Sequence, residues 1–453
     1  MLDLLALVEG APGSLQLGRW LSSGELTVAL EFQLDGQALL FATLIAFISL
    51  LVQRFSVNYL HREAGFQRFF MVMSLFTAAM LLLATAGNLV LLFIGWELAG
   101  VSSYLLIAWA FERPVAAANA TRAFVTNRIG DAGFVLGIFL AYRWLGGAEI
   151  GLLEERVVSL DAFQADLLSG VLLLAALAKS GQVPFAPWIA RALEGPTPSS
   201  AIFYGSLMVH AGAWLVIRLA PLYDTAPEIS GLLVLLGLLS AFYGWLAGLV
   251  QTDVKSAFMF ATTTQVGLIF VWCGFGWFDL ALAHLVTHAL WRAWQFLHAP
   301  AFMHLVNRPP RPVPAWLRRS RTLHTAALQR LWLDSLADWL FTKPTRALAR
   351  DIDRFDEQVV NRFVGLPPET AGASSLVALE QGRVHTSGAL GSFMAWLADR
   401  LHWFEEHLVL HGGGEAMLQL MRRFSTLLEE VESLLSRPRY LILMVMLTLV
   451  VIL

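Results

Sequence analysis

The segment at residues 91–104, LLFIGWELAGVSSY, places one carboxylate, Glu97, between an apolar run and a run of small residues. An ionised side chain at the centre of a bilayer costs about 2.5–3.5 kcal/mol on insertion scales. Membrane segments that retain such a group usually use it, so we expect Glu97 to take part in transport. A purely structural ion pair with one buried base is the alternative interpretation.

The composition of the chain around this segment is that of a membrane protein. Its 453 residues are 57% hydrophobic and 14% charged, whereas soluble domains are about half apolar and a quarter charged. The net charge of −3 gives no basic surface for nucleic acid. The single cysteine, Cys273, excludes a disulfide framework. No signal peptide is evident, and we expect residues 1–30 to form an N-terminal interfacial segment.

Nine apolar segments are long enough to span a bilayer, which predicts an all-α polytopic membrane protein. They are residues 37–55, 69–86, 88–109, 124–145, 165–183, 200–221, 229–250, 256–275 and 279–306. We therefore assign the transmembrane core to residues 31–306.

Two stretches inside this core predict discontinuous helices. Residues 181–198, GQVPFAPWIARALEGPTP, contain four prolines and cannot form one continuous helix. Irregular backbone at membrane depth is tolerated where it is buried in protein or lines a wet cavity. Residues 251–255, QTDVK, interrupt two apolar runs, which suggests a second unwound helix of the kind found in transporters.

The character of the sequence changes after residue 306. We assign residues 307–325 to a Pro/Arg linker, 326–438 to amphipathic helices and 439–453 to a terminal apolar anchor. The prediction includes one amphipathic helix at residues 326–363 and two more between 390 and 435. The arginines at 308–321 place this region in the cytoplasm by the positive-inside rule.

The core contains further buried titratable groups. Lys179 ends the apolar run SGVLLLAALAK, and Lys255 lies in the second break. His284, His288 and Arg292 are spaced by four residues, which places them on one helix face. Such a series of acid, bases and histidines can carry protons through an apolar barrier. The candidate proton-relay residues are Glu97, Lys179, Lys255, His284, His288, Arg292 and His210, and no catalytic residue is assigned.

Each of these residues also has a structural interpretation. Lys179 can extend its ammonium toward polar groups near the prolines, and Lys255 can be a loop lysine. The histidines, His210 among them, can be hydrogen-bonded core residues. The HxxxH pair can also bind zinc, but no further ligand follows nearby on its helix, so no metal is expected.

Three other charged residues have local explanations. Glu194, in EGPTP, is expected to fix the broken segment. Arg128 and Asp131, in NRIGDAG, are expected to pair at a helix end.

The sequence contains no G-x-G-x-x-G, Walker loop, cysteine cluster or flavin signature. We therefore expect no cofactor, no nucleotide and no chemistry of the chain's own.

Several motifs together resemble a known family. They are GWELAGVSSYLLIAWAFERP, ATRAFVTNRIGDAGFVLGIF, LAKSGQVPFAPWIARALEGPTPSSA, QTDVKSAFMFATTTQVGLIFVWCGFG and HLVTHALWRAWQFL. Over residues 30–306 the chain resembles the antiporter-like subunits of respiratory complex I, L type, which are related to cation/proton antiporter A subunits and to the DabB subunit of the DAB inorganic-carbon system. The resemblance implies an antiporter-like helix bundle that conducts protons along a central polar axis.

The resemblance also implies roles for individual residues. Glu97 corresponds to the glutamate that pairs with the family's buried lysine, here Lys179. Lys255 corresponds to the lysine of the second break, and His284 and His288 to the paired histidines.

The chain departs from the family pattern at several positions. Arg292 replaces a lysine, and Tyr204 occupies the place of a histidine from which His210 is offset. The family's first helix and the block of helices with the exit lysine have no counterpart, so the chain reads as truncated. We therefore expect the proton path to end in another subunit.

Three hypotheses about the assembly follow from the resemblance. The first, which the truncation and the similarity of the run CGFGWFDLALAHLVTHALWRAWQFLHAP to DabB favour, is a proton-translocating energy-coupling subunit of a DAB-type complex that works with a soluble DabA-like zinc protein in CO2 and bicarbonate accumulation. The second is an L-type proton-pumping subunit among the subunits of an NADH:quinone oxidoreductase-like complex. The third is a non-conducting structural membrane subunit. All three imply a multi-pass protein in the lipid bilayer of the cell inner membrane.

Overall fold

A computed structural model describes residues 13–23, 26–305 and 312–355, together with residues 396 and 400. The chain divides into two units, Met1–Thr345 and Arg346–Leu453. The second unit is described at residues 346–355, 396 and 400. The elements that build the candidate site all lie in the first unit.

The described chain is helical apart from one β-hairpin. The strands are β1 (Ser14–Ser23) and β2 (Leu26–Gln33), which pair antiparallel. The helices are α1 (Gly36–Leu60), α2 (Phe66–Thr85), α3 (Leu89–Ile107), α4 (Pro114–Leu145), α5 (Ile150–Arg156), α6 (Ala162–Lys179), α7 (Pro187–Arg191), α8 (Thr197–Ser200), α9 (Ala211–Arg218), α10 (Ala220–Asp224), α11 (Pro227–Gly248), α12 (Val254–Gly274), α13 (Phe278–Leu305), α14 (Ala315–Arg319), α15 (Arg321–Leu328), α16 (Leu333–Ala337) and α17 (Lys343–Phe355). Single 3₁₀ turns occur at Val157–Ser159, Ala192–Glu194, Met208–His210 and Arg330–Trp332, and π turns at Ala201–Ser206 and Asp338–Thr342.

Polar side chains at the helix starts explain where several of these helices begin. Asp35 accepts a hydrogen bond from the Ala38 N–H at 2.9 Å, and Asn88 accepts one from the Leu91 N–H at 2.9 Å. Asp161 forms a capping box at the start of α6. Each cap satisfies a backbone donor that the first helical turn leaves without a partner.

The prediction of a polytopic helical membrane protein is confirmed. Among the described residues, eight helices are long and apolar enough to cross a membrane, counting Thr197–Arg218 as one interrupted span. They coincide with the first eight predicted segments. The ninth predicted segment is also helical, as α13, but it carries more polar groups because it holds the histidine series.

The short connections make successive helices cross in opposite directions. The turn at 86–88 joins α2 to α3, and the turn at 275–277 joins α12 to α13. The β-hairpin, the start of α1 and the end of α12 therefore share one end of the bundle, which we call the hairpin face. Lys255, the start of α4 and the end of α11 share the other end, which we call the Lys255 face.

The proline-rich break is confirmed as a discontinuous helix. Between the end of α6 and α9 the chain forms only short pieces, from α7 to the turn Met208–His210. This region is buried inside the bundle, and the window of Thr197–Arg218 is 100% buried. Gly205 of the π turn packs so tightly that a Cβ there would lie 2.7 Å from the Phe296 ring of α13.

The second predicted break has a different structure. Residues 251–253 form the turn between α11 and α12, which pack against each other as an antiparallel pair, and do not interrupt one helix. Asp253 caps α12 by accepting from the Ser256 N–H at 2.8 Å. Lys255 therefore lies at one end of the bundle and not at its middle.

Most of the hairpin lies in residues 1–30, which the sequence predicted only as an interfacial segment, and β2 continues to Gln33 in the predicted core. Asn88 Nδ2 donates to the Ala29 carbonyl at 2.9 Å, and the Gly87 N–H donates to the Glu31 carbonyl at 2.8 Å. On the other side of this turn the Ile150 N–H donates to the Gly87 carbonyl at 2.8 Å. The α2–α3 turn thus joins the hairpin to the start of α5.

The region after residue 312 also differs from the prediction of one helix at 326–363. Arg330, Leu331 and Trp332 have positive φ values of 51°, 53° and 54°, which break the helix. This tight turn separates α15 from α16. The predicted helices at 390–435 and the anchor at 439–453 lie outside the described residues, apart from residues 396 and 400.

Candidate functional site

Glu97 lies in the middle of α3 and pairs with Arg128 of α4. Arg128 Nη1 donates to Glu97 Oε2, and Arg128 Nη2 lies 2.8 Å from Asp131 Oδ2. The predicted Arg128–Asp131 pair therefore exists, but it lies within α4 and not at a helix end. One guanidinium thus contacts two carboxylates at membrane depth, because its planar donors can reach both.

Lys179 ends α6 beside this pair and is almost fully buried, with 1% of its surface exposed. Its Nζ donates to the Trp96 carbonyl oxygen at 3.0 Å and lies 4.9 Å from the centre of the Trp96 ring. The Trp96 indole N–H donates to Asp131 Oδ1 at 2.8 Å. Trp96 therefore links the lysine to the acid that Arg128 also contacts.

A direct Glu97–Lys179 pair, which the family resemblance implied, is not formed. Glu97 pairs with Arg128 instead, and Lys179 uses a neutral carbonyl oxygen. Gly100 leaves the space in which both cations lie, since a Cβ there would be 3.1 Å from Lys179 Nζ and 3.5 Å from Arg128 Nη2. Arg128 and Lys179 therefore meet at one point next to Glu97.

The histidine series forms a second cluster. His210 Nε2 and His288 Nδ1 lie 2.9 Å apart, and both side chains are buried. An N–H···N bond needs one protonated and one bare nitrogen, so the two rings share one proton at this contact. Arg292, one turn beyond His288, donates to Gln295 Oε1 at 2.8 Å. His210 therefore joins the series from outside α13, in the turn Met208–His210.

His284 lies one turn before His288, with their ring centres 6.2 Å apart. Both of its ring nitrogens have partners on α12. The Trp272 indole N–H donates to Nδ1 at 3.1 Å, and Nε2 lies 2.9 Å from Gln265 Oε1. His284, His288 and Arg292 thus lie on one face of α13.

Lys255 lies apart from both clusters, at the Lys255 face. Its Nζ donates to Thr197 Oγ1 at 2.6 Å, and the same hydroxyl lies 3.0 Å from the Tyr59 hydroxyl. Lys255 lines a polar cavity of about 560 Å³. The other charged residues of its lining are Arg113, Arg191, Glu194, Asp253 and Arg330.

Glu194 has the fixing role expected for it. It accepts from Arg113 Nη2 at 2.9 Å, which ties the broken segment to the start of α4. Within the described residues, no three His, Cys, Asp or Glu side chains are grouped as metal ligands would be. What the arrangement can do chemically is hold and transfer protons.

Comparison with known proteins places this geometry in a family. Residues 86–309 match the family model described as the transmembrane part of NADH:quinone oxidoreductase and Mrp antiporter, and residues 20–70 match the N-terminus of NADH-ubiquinone oxidoreductase (complex I) chain 5. This chain belongs to the antiporter-like family. Both matched regions contain described helices, and the first holds every candidate relay residue.

Two curated relatives show the extent of the similarity. The chain is 37% identical to NADH-quinone oxidoreductase subunit L of Rhodobacter capsulatus, over 64% of this chain and 43% of that protein. It is 36% identical to NADH-ubiquinone oxidoreductase chain 5 of Rhizopus stolonifer, over 68% of this chain and 48% of that protein. The chain thus spans about half the length of the curated relatives that it matches.

Solved structures support the fold of the antiporter-like family. The Mrp complex from Dietzia sp. DQ12-45-1b superposes with a TM-score of 0.61 at 28% identity, covering 65% of this chain and 33% of that one. A chain of the archaeal membrane-bound sulfane sulfur reductase superposes with a TM-score of 0.57 at 19% identity, covering 68% and 52%. At that identity the second likeness concerns the fold alone.

Several residues of this antiporter-like site were not predicted from the sequence. Arg128 was assigned to Asp131 alone, and Trp96, Trp272 and Gln265 were not singled out. Asp35 and the buried Arg218 form a further ion pair near the hairpin face that was also missed. Arg218 carries a signal, because it is a cation at the end of an apolar run, as Lys179 is. The tryptophans carry none, since the chain has sixteen of them.

Proposed function

We propose that the chain is a proton-translocating subunit of a multi-subunit membrane complex of the NADH:quinone oxidoreductase or Mrp type. The observation that carries this proposal is the cluster in which Arg128 and Lys179 meet beside Glu97. Its support from the comparisons is the family match over residues 86–309. The relatives are named as subunits of NADH-quinone oxidoreductases.

In this proposal Glu97 exchanges partners between Arg128 and Lys179. While Arg128 neutralises Glu97, the direct contacts of the Lys179 ammonium among the described residues are the Trp96 carbonyl oxygen and the Trp96 ring. A buried ammonium without a carboxylate partner releases its proton more readily. Movement of Glu97 toward Lys179 would favour proton uptake, and return to Arg128 would favour release.

Protons enter this scheme from the Lys255 face and continue through the histidines. The polar cavity gives water access to Lys255, and Thr197 with Tyr59 extends hydrogen bonding into the bundle. The His210–His288 pair passes one proton at its shared contact. The proposed relay residues are Glu97, Lys179, Lys255, His210, His288, His284 and Arg292. We also propose that the protein lies in the cell inner membrane.

The test uses the complete complex in native membrane vesicles with a pH-sensitive dye. We expect Glu97→Gln and Lys179→Ala each to reduce proton translocation by tenfold or more, on the order of one charge-assisted hydrogen bond. Glu63→Gln, an exposed acid in the turn after α1, is the matched control. Unchanged translocation in both site variants would instead support a non-conducting structural subunit.

The subunits that co-purify with the chain identify its partners. The curated relatives favour the L-type interpretation over the inorganic-carbon interpretation, so we expect complex I-like membrane subunits to co-purify. Recovery of a large DabA-like zinc protein, with bicarbonate uptake that depends on Glu97, would favour the inorganic-carbon system instead.

A further inference from the structure

The contacts of His284 allow only one of its protonation states. The Trp272 indole nitrogen is a donor and never an acceptor, so His284 Nδ1, at 3.1 Å, must be bare. The ring proton of the neutral imidazole is then on Nε2. That N–H points at Gln265 Oε1, an acceptor 2.9 Å away.

The other two states lose at least one of these bonds. The imidazolium would set an N–H of His284 against the N–H of Trp272. The tautomer protonated at Nδ1 would make the same clash and would also face Gln265 with a bare nitrogen. Of the three states of the ring, the neutral form protonated at Nε2 is therefore the one that satisfies both partners.

His284 lies between the His210–His288 pair and the hairpin face. Along α13, His284 is the member of the series nearest the hairpin face, and His288 follows one turn deeper. His288 is the neighbour of His284 in the series, with ring centres 6.2 Å apart, and His210 lies behind it, 2.9 Å from His288. A proton leaving that pair toward the hairpin face therefore meets His284 first.

Trp272 lies close to the hairpin face and contacts an exposed residue there. Its ring stacks on the ring of Trp277 at 5.6 Å, and Trp277 is 53% exposed in the turn between α12 and α13. Rotation of the Trp272 indole would free His284 Nδ1.

We propose that Trp272, with Gln265, is a positioning residue that holds His284 neutral and so closes the histidine series toward the hairpin face. This inference rests on the proposed proton translocation for its role, but the tautomer it assigns does not depend on transport. Opening occurs when the indole leaves Nδ1. His284 then accepts one proton there from the histidine pair, and its Nε2 proton passes to water on the hairpin side once the bond to Gln265 Oε1 breaks.

The first test is solid-state ¹⁵N NMR of the full chain in its complex, labelled at histidine. The His284 signals are assigned by their loss in His284→Asn. We expect a bare Nδ1 and a protonated Nε2 in the wild type, and a mixture of states in Trp272→Phe. A wild-type His284 that is protonated at Nδ1, or one unchanged by Trp272→Phe, would overturn the proposal.

The second test measures passive proton leak through the same complex in liposomes. We expect Trp272→Phe to raise the leak about fivefold, which corresponds to one net hydrogen bond of about 1 kcal/mol. Trp277→Phe is the control, because it alters the same aromatic stack and has no hydrogen bond to His284 in the described structure. A leak raised equally by both variants, or by neither, would contradict the gating role.

The two tests separate this inference from the proposed function. If the wild-type complex moves no protons while His284 shows the expected tautomer, the proposed function fails and the assigned hydrogen bonding stands. If the complex pumps protons while His284 is an imidazolium, the proposed closure fails alone.

Discussion

Arg128 is the residue on which the charge balance of the central cluster depends. It contacts Glu97 and Asp131 together, while 35% of its side chain remains exposed. Lys179 lies near enough to compete for Glu97, but it is fixed by the Trp96 carbonyl. The competition between two cations for one carboxylate is what makes the cluster a switch in our proposal and not a static ion pair.

We expect Arg128→Gln to lower proton translocation about tenfold, because Glu97 would then pair permanently with Lys179. The free energy of unfolding should fall by about 1–2 kcal/mol. This loss is smaller than for a fully buried ion pair, because Arg128 is partly exposed. Vesicle assays and thermal unfolding monitored by tryptophan fluorescence measure the two effects. Arg143→Gln, an exposed arginine on the same helix, is the control. Translocation unaffected by Arg128→Gln would remove Arg128 from the mechanism.

The sequence predicted the charged residues of the site better than their pairing. Glu97 and Lys179 are visible because a charge stands out in an apolar run. The pairing of Glu97 with Arg128 depends on how α3 and α4 rotate about their axes, and four-residue spacing within one helix carries no such information. His210 was an open choice for the same reason, since its partner His288 lies 78 positions away.

At the scale of elements, glycines set how closely the helices approach. Gly237 of α11 and Gly267 of α12 face each other, and a Cβ on Gly237 would lie 2.6 Å from the Gly267 carbonyl oxygen. Membrane helices associate through such small residues because lipid supplies no hydrophobic drive between them. This contact holds α12, and with it Trp272 and Lys255, against the bundle.

We expect Gly237→Ala to destabilise the protein by about 1–2 kcal/mol, since overpacking costs more than alanine gains in helix propensity. Gly231→Ala, on the same helix, is the matched control because a Cβ there meets open space. It should be neutral or slightly stabilising. Thermal unfolding of both purified variants tests this, and equal stability of the two would show that the α11–α12 contact tolerates a methyl group.

The β-hairpin adds a pH-dependent contact at the hairpin face. Burial, and then the nearby Glu149, raise the pKa of Glu31 above its ordinary value. A raised carboxyl pKa means that folding favours the protonated form. Stability is therefore fully present at low pH and decreases as pH rises from the ordinary value of about 4.3 toward the higher pKa of the folded state.

Replacing the Glu31 carboxyl by an amide should remove this pH-dependent loss of stability. We expect Glu31→Gln to be more stable than the wild type near neutral pH and to show a smaller decrease in stability from about pH 4 to pH 7. Glu154→Gln, an exposed acid on α5, should leave the profile unchanged. Thermal unfolding across this range measures both, and a wild-type profile in Glu31→Gln would contradict the raised pKa.

Two elements show where sequence patterns were insufficient. The hairpin was not predicted because its alternation is short, and its stability depends on bonds to residues 87 and 88 of a distant turn. The QTDVK stretch was interpreted as a broken helix. A polar interruption has the same sequence pattern in a break within one helix and in a turn between two antiparallel helices. The reversal is decided by the close packing of α11 on α12.

At the scale of the whole molecule, one end of the bundle is rich in arginine. The Lys255 face contains the cavity with Arg113, Arg191 and Arg330. Leu317 and Ala327 of α14 and α15 pack on Leu246 and Val250 at this same face, which brings the arginines near 318–321 to it. From the positive-inside rule we therefore expect the Lys255 face to lie in the cytoplasm and the hairpin face on the opposite side.

Cysteine labelling tests this orientation directly. The native Cys273 is buried, with 1% of its surface exposed, so a Cys273→Ala background is expected to keep the fold. In that background we expect Ser22→Cys, on exposed β1, to react with a membrane-impermeant maleimide in intact cells. Thr322→Cys, on exposed α15, should react only after the membrane is opened. The reverse pattern would invert the orientation and reverse the direction in which protons enter at Lys255. Labelling of both from one side would contradict the odd number of crossings that separates the two faces.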